Sequence, residues 1–240
     1  MGKYLMFAEH EGDNGQRERL MQLLDVSGSM GRTDWPPSRL CGAKEAAEAL
    51  ILAKAPSHPE DEVGIGSFSG DARLIHAPVA LGKGTSSLIS SLKTLHTDSS
   101  TNIAAGLTLS GNALFGNWLE YQPKMPGSVT GWLSRLLYDD SPSPMLPRTR
   151  NGFLNRIVLC TDGGHNDPAS DPVEVARKLK EQGVIIDCIG IGGSPAEVEE
   201  DTLKAIASVG PDGKPRYAFI GDKQKLIRKF KDLANRIRPA

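Results

Sequence analysis

Apolar residues along the chain fall into short continuous runs that alternate with segments in which they recur at helical spacing. Leu20 to Asp25 is a nearly unbroken apolar run and predicts a buried strand. After it, Leu40, Ala43, Ala47, Leu50 and Ile51 share one face of a helix from about Ser38 to Lys54, which Pro56 ends. Glu62 to Phe68 predicts a second strand, and Ala72 to Ile75, one short turn beyond Gly70, an antiparallel edge strand beside it. Helices are expected around Leu88, Ile89, Leu92 and Leu95 and from Asn102 to about Phe115, then a strand over Asn155 to Thr161. Asp171 and Pro172 open a helix that Gly183 closes, and Val184 to Ile189 is the next strand. Ser194-Pro195-Ala196-Glu197 has the form of a capping box opening a further helix, Tyr217 to Ile220 is the last strand, and Asp222 caps a closing helix. Strands alternating with helices in this way predict an α/β domain: a mostly parallel six-stranded sheet with one antiparallel edge strand and helices on both faces.

The rhythm fails in two places. Residues 1–19 precede the first strand as an amino-terminal extension. The stretch from about 119 to 152 carries Pro123, Pro126, Pro142, Pro144 and Pro147 around a short amphipathic piece with Trp132, Leu133, Leu136 and Leu137. It reads as an insertion into a domain spanning residues 20–240. The helix before it runs away from the carboxyl edge of the sheet, so the insertion belongs at the opposite end. There it is an ordered loop or a second docking surface anchored by Trp132.

Composition narrows the setting. At 240 residues and 39% hydrophobic content the chain can bury a sizeable core, and a net charge of −1 gives no global attraction to nucleic acid or anionic membrane. Three cysteines cannot all pair, and Cys160 and Cys188 lie inside predicted central strands, where reduced thiols pack as small hydrophobes. The opening ten residues hold too short an apolar stretch for a signal peptide, and no window approaches a membrane span, so a cytoplasmic location is expected. The closing helix sets Leu226, Ile227, Phe230 and Leu233 against Lys223, Lys225, Arg228, Lys229 and Lys231, which predicts a docked helix with a solvated basic face. Nucleic-acid binding through that face would make the chain an adaptor, but no aromatic platform accompanies the charge.

The chemistry is concentrated where strands end. Asp25-Val26-Ser27-Gly28-Ser29 places a carboxylate and two hydroxyls at alternate positions just past the first strand. Hard oxygen donors of this kind suit Mg²⁺, Mn²⁺ or Ca²⁺. The segment resembles the Asp-x-Ser-x-Ser element of von Willebrand factor A domains, whose metal-ion-dependent adhesion site (MIDAS) binds a partner's carboxylate through a cation. Thr101-Asn102-Ile103 is similar to the family's Thr-Asn-Ile stretch and Thr161-Asp162-Gly163 to its Thr-Asp-Gly. The resemblance covers roughly Leu20 to Pro239 and implies a Rossmann-like doubly wound sheet, with Asp25, Ser27, Ser29, Thr101 and Asp162 as metal ligands. It also implies that the hydroxyls coordinate directly when a partner is bound, that the aspartates often act through water, and that the last helix can slide when the site is occupied.

Around these ligands, Arg32, Asp34 and Trp35 after the first motif and His165, Asn166 and Asp167 after Asp162 are candidates for a partner-binding rim; Trp35, beside Pro36 and Pro37, could instead fold back and bury itself. Enzyme signatures are missing or broken. Gly66-Ser67-Phe68-Ser69-Gly70 has the wrong spacing for a nucleophile elbow, and Gly82-Lys83-Gly84-Thr85 is only a fragment of a phosphate loop. Gly190-Ile191-Gly192-Gly193-Ser194-Pro195 puts proline where a dinucleotide loop needs its third glycine. A haloacid-dehalogenase-like phosphohydrolase would need a second aspartate where Ser27 stands. The expected protein is therefore a non-enzymatic, Mg²⁺-dependent (or Mn²⁺- or Ca²⁺-dependent) scaffold or regulator in a bacterium-like multi-component system. Relatives of this kind work beside AAA+ ATPases or beside kinases and phosphatases, so the expected partner is a protein presenting Asp or Glu to the metal.

Overall fold

The computed structural model describes residues 16–98, 100–116 and 152–235. Six strands form one sheet in the order β3-β2-β1-β4-β5-β6. They are β1 (Glu18–Asp25), β2 (Glu62–Phe68), β3 (Ala72–Ala80), β4 (Leu154–Thr161), β5 (Ile185–Ile191) and β6 (Tyr217–Ile220). All neighbours are parallel except β2 and β3. The helices are α1 (Arg39–Lys54), α2 (Leu81–Lys93), α3 (Ile103–Phe115), α4 (Pro172–Glu181), α5 (Glu200–Ile206) and α6 (Lys223–Leu233).

Strand β1 is central, and its period-two alternation divides the core. Leu20 and Leu24 face one layer with residues of α1, α2 and α6, while Met21 and Leu23 face the other with residues of α3, α4 and α5. Because β1 pairs with β2 on one side and β4 on the other, the chain reverses direction across the sheet at this strand. A crevice opens there at the carboxyl ends of the strands, the usual ligand position in open α/β sheets.

Local signals account for most boundaries. Ser38, Asn102, Asp171 and Asp222 each accept a backbone N–H from the first turn of the helix they open. Gly183 ends the α4 turn with φ of +81°, a conformation that costs glycine nothing. Two expectations are corrected. The edge strand extends well past Ile75 to Ala80, with register shifts and Pro78 inside it, because an edge strand tolerates a residue without an N–H. The capping box at Ser194 does not form: Pro195–Glu197 is a single 3₁₀ turn, the Ser194 side chain caps nothing, and α5 begins only at Glu200. Glu197, which would have completed the box, pairs with Arg39 and Arg32 instead. Residues 119–151 of the expected insertion, with Trp132, and residues 1–15 of the expected extension lie outside the described residues.

The amino-terminal ends of the strands hold a buried charge network. Lys54 Nζ, fully buried, lies 2.5 Å from Glu18 and 2.9 Å from Asp61, and donates to the Ala234 carbonyl at 3.1 Å. Arg156 pairs with Asp187 at 2.7 Å and donates to the Leu233 carbonyl at 2.9 Å. Two cations thus cap the carboxyl end of α6, where the helix dipole favours positive charge.

Candidate metal centre

Three loops bring the expected ligands to one place at the carboxyl edge of the sheet. Asp25 ends β1, Ser27 and Ser29 occupy the turn after it, Thr101 immediately precedes the N-cap of α3, and Asp162 follows β4. The Ser27 and Ser29 hydroxyls are 3.1 Å apart, and Ser29 Oγ donates to Asp162 Oδ1 at 2.6 Å. A methyl group placed on Gly163 would lie 3.9 Å from Thr101 Oγ1 and 4.0 Å from Ser29 Oγ, so both hydroxyls reach the same small region. Asp25, Ser27, Thr101 and Asp162 are all buried.

Asp25 is fixed on both oxygens. Oδ1 accepts the Ser27 N–H at 2.7 Å and Oδ2 accepts the Thr161 hydroxyl at 2.6 Å. Thr161 Oγ1 has one proton, committed to this carboxylate by the short contact, and it accepts from Gly163 N at 3.2 Å. Burial pushes the Asp25 carboxyl up to about 6 against these hydrogen bonds, and burial also raises Asp162. A nearby positive charge favours the ionised form of such buried carboxylates. Among the described residues no three His, Cys, Asp or Glu side chains converge on a point, so any cation held here relies on hydroxyls. Two carboxylates and three hydroxyl oxygens fit a hard divalent ion, and even with all five bound directly they leave one position of a six-coordinate shell for an outside ligand.

One group missing from the expected site is Arg39, the first residue of α1, whose side chain is 2% exposed. Its guanidinium donates to Asp162 Oδ2 at 3.1 Å, to both oxygens of Asp34, and to Glu197 Oε2 at 2.7 Å. These contacts tie together the turn after β1, the turn after β4 and the turn after β5. They hold the Asp34 and Glu197 carboxyls below the usual carboxylate range. A signal for Arg39 was present in the sequence: a basic residue at the start of a helix opposes the dipole, which implies an acidic partner.

The rim residues divide. Arg32 is exposed and pairs with Glu197 at 3.0 Å, and Asp34 is exposed on its outer side. Trp35 is only 5% exposed; its ring packs over Gly42 of α1 next to the Lys223 stem, so it lies beneath the rim and cannot read a partner. His165 is turned inward, with Nδ1 accepting the Ile103 N–H at 3.2 Å and Nε2 facing the Ser170 carbonyl at 2.8 Å, an arrangement that assigns the proton to Nε2. Asp167 accepts from Asn102 Nδ2 at 2.7 Å and from Ser170. Between them Asn166 exchanges two bonds with the Thr101 backbone at 2.9 and 3.0 Å, a supporting role that its place in the loop does not announce. Residues 165–167 thus form a clamp that fixes the Thr101 loop.

The chain belongs to the family of the von Willebrand factor type A domain, whose family model matches residues 20–164, with a second model of the same domain matching 137–233. A UPF0353 protein of Mycolicibacterium paratuberculosis is 30% identical over 202 residues, 82% of this chain and 51% of that protein. The chain therefore spans about half the length of this relative. A von Willebrand factor type A protein from Catenulispora acidiphila shares the fold with a TM-score of 0.62 at 19% identity, over 91% of this chain and 42% of that one. So does proximal thread matrix protein 1 from the mussel byssus, in a structure described as having a zinc-occupied MIDAS motif. Its TM-score is 0.62 at 17% identity, over 91% of this chain and 47% of the mussel chain.

Proposed function

We propose that the chain is a divalent-cation-dependent protein-binding module, in which Asp25, Ser27, Ser29, Thr101 and Asp162 hold Mg²⁺, with Mn²⁺ or Ca²⁺ as substitutes. The observation that carries this reading is the convergence of two buried carboxylates and three hydroxyls from three separate loops, with Ser29 touching both Ser27 and Asp162. When bound, the cation supplies a Lewis-acidic position for the Asp or Glu carboxylate of a partner protein. The chain's own residues do the rest. Thr161 and the Ser27 amide orient Asp25, Arg39 and Ser29 orient Asp162, and Asn166 holds Thr101.

A phosphohydrolase reading is disfavoured by the residue at position 27: a haloacid-dehalogenase-like enzyme needs a second aspartate there as acid and base, and this chain has Ser27. A nucleic-acid reading finds Phe230 of α6 buried and Lys223 paired with Glu45 at 2.6 Å. The role is a scaffold or regulator with a protein partner, an AAA+ ATPase or a kinase or phosphatase being the classes suggested by resemblance. Cytoplasmic placement rests on free Cys160 and Cys188, whose thiols burial pushes up and renders inert. Among the described residues no helix is long and apolar enough to cross a membrane.

Titration calorimetry with Mg²⁺ and Mn²⁺ tests the assignment. The unmodified chain is expected to bind and Asp25→Ala to lose binding while keeping its far-UV circular dichroism. Equal affinity in the two would overturn the metal site, and a collapsed spectrum would make Asp25 a structural residue.

A further inference from the structure

We infer that Arg39 is an internal counter-ion for the metal-ligand carboxylate Asp162, competing with the cation so that metal and an anionic partner ligand bind together far better than metal alone. The inference rests on the metal-binding reading above and adds a residue that sets its selectivity.

The geometry is specific. Asp162 has two oxygens: one accepts the Ser29 hydroxyl at 2.6 Å and the other the Arg39 guanidinium at 3.1 Å. A guanidinium shared with Asp34 and Glu197 therefore sits one hydrogen bond from a ligand, in a side chain 2% exposed and little screened by water. Asp34 and Glu197 hold it there through four further hydrogen bonds, so it cannot swing away when a cation arrives. Helix stability does not explain the residue, since positive charge in a first turn opposes the dipole. Nor does a buried ion pair by itself argue for stability, because desolvation offsets much of the attraction.

Arg39 has a direct consequence for the cation. With Asp162 already compensated, the ligand set offers a divalent ion less negative charge than two free carboxylates would. The bound ion keeps an unmet demand for an anion, which an Asp or Glu side chain meets and a carbonyl or hydroxyl does not. Removing the guanidinium should restore the missing charge to the ligand set. At an effective dielectric constant of about 20, a unit charge this close changes the binding constant of a divalent ion by at least about tenfold.

The test is Mn²⁺ binding by calorimetry, with and without acetate as a carboxylate probe, on the unmodified chain, Asp25→Ala, Arg39→Gln, Arg39→Lys and Asp34→Asn. Arg39→Gln is expected to bind Mn²⁺ at least about tenfold more tightly than the unmodified chain, and to lose most of the tightening that acetate produces. Arg39→Lys, which keeps the charge, should stay within about threefold of the unmodified chain and keep the acetate effect. A purely structural role for Arg39 would not move the acetate dependence. Should Arg39→Gln fail to fold, Asp34→Asn carries the test: it removes an exposed partner, leaves more of the guanidinium charge on Asp162, and should weaken Mn²⁺ several-fold. Folded Arg39→Gln that binds Mn²⁺ no more tightly, or Asp34→Asn that binds it equally well or better, overturns the inference. If the unmodified chain binds Mn²⁺ and Asp25→Ala does not, the metal reading survives that failure. Absence of Mn²⁺ binding in every variant overturns both.

Discussion

At the scale of single residues, the proposed ligands are the part of the site that sequence spacing exposes, and their supports are the part it hides. Asp25, Ser27 and Ser29 are contiguous, so their alternation is visible in the linear chain. Thr161 stands in an equally visible segment, but its role depends on Asp25, which is 136 residues away in sequence and adjacent across the β1–β4 pair. The same holds for Asn166 on Thr101 and for Arg39 on Asp162, partners that only the fold brings together. Trp35 was ambiguous for a related reason: an aromatic residue in a polar loop reads as exposed until the glycine that admits its ring, Gly42, is seen beneath it. A neutral outer-sphere group that orients a ligand, as Thr161 orients Asp25, typically contributes about 10- to 100-fold to metal affinity. Thr161→Val preserves side-chain shape and removes the bond to Asp25 Oδ2, so it is expected to weaken Mn²⁺ binding about tenfold without unfolding the protein, while Thr161→Ser should bind nearly normally. Calorimetry on the two variants distinguishes loss of the hydroxyl from loss of packing.

At the scale of elements, periodicity and caps located the strands and most helices, and the failures occur where tertiary pairing overrides local preference. Ser194 to Glu197 satisfies the capping-box pattern, yet the charge on Arg39 outbids the backbone for Glu197, and the helix start moves to Glu200. Helix α6 presents the opposite case. Its amphipathic face was legible, but its anchoring was not, since Lys54 and Arg156 come from α1 and β4 and reach the Ala234 and Leu233 carbonyls. These bonds pin the carboxyl end of the helix that the family resemblance makes mobile. Any sliding of α6 must therefore break two charged hydrogen bonds. Lys54→Met removes the cation 2.5 Å from Glu18 and 2.9 Å from Asp61, leaving Glu18 its longer pair with Arg156 at 3.4 Å, and is expected to cost about 3–5 kcal/mol in urea denaturation. Amide exchange at the carboxyl end of α6 should rise in the same variant more than at its amino end, where Lys223 remains paired with Glu45.

At the scale of the whole molecule, the metal centre couples to folding through charge. In the metal-free protein burial raises the Asp25 carboxyl to about 6, above the roughly 3.9 of an unfolded chain. Between those values the folded state binds the extra proton, so stability falls as pH rises from about 4 to about 6 and stays reduced above that range. The penalty is on the order of 3 kcal/mol, and Asp162, raised by burial as well, acts in the same direction. Under the proposed function a divalent cation supplies the counter-charge that deprotonated Asp25 lacks, and it favours the folded chain because β1, the α3 approach and β4 bring its ligands together only on folding. At a concentration 100-fold above its Kd it adds about 2.7 kcal/mol, which in a domain of this size raises Tm by about 5–10 °C. In EDTA, Tm is expected to fall between pH 4.5 and pH 6.5, apart from any general acid unfolding at the low end. Added Mg²⁺ should raise Tm at pH 7.5 and do so much less at pH 5, where protons occupy Asp25 in its place. A Mg²⁺ effect of equal size at the two pH values would place the cation elsewhere on the molecule, because only binding to the buried carboxylates competes with their protonation.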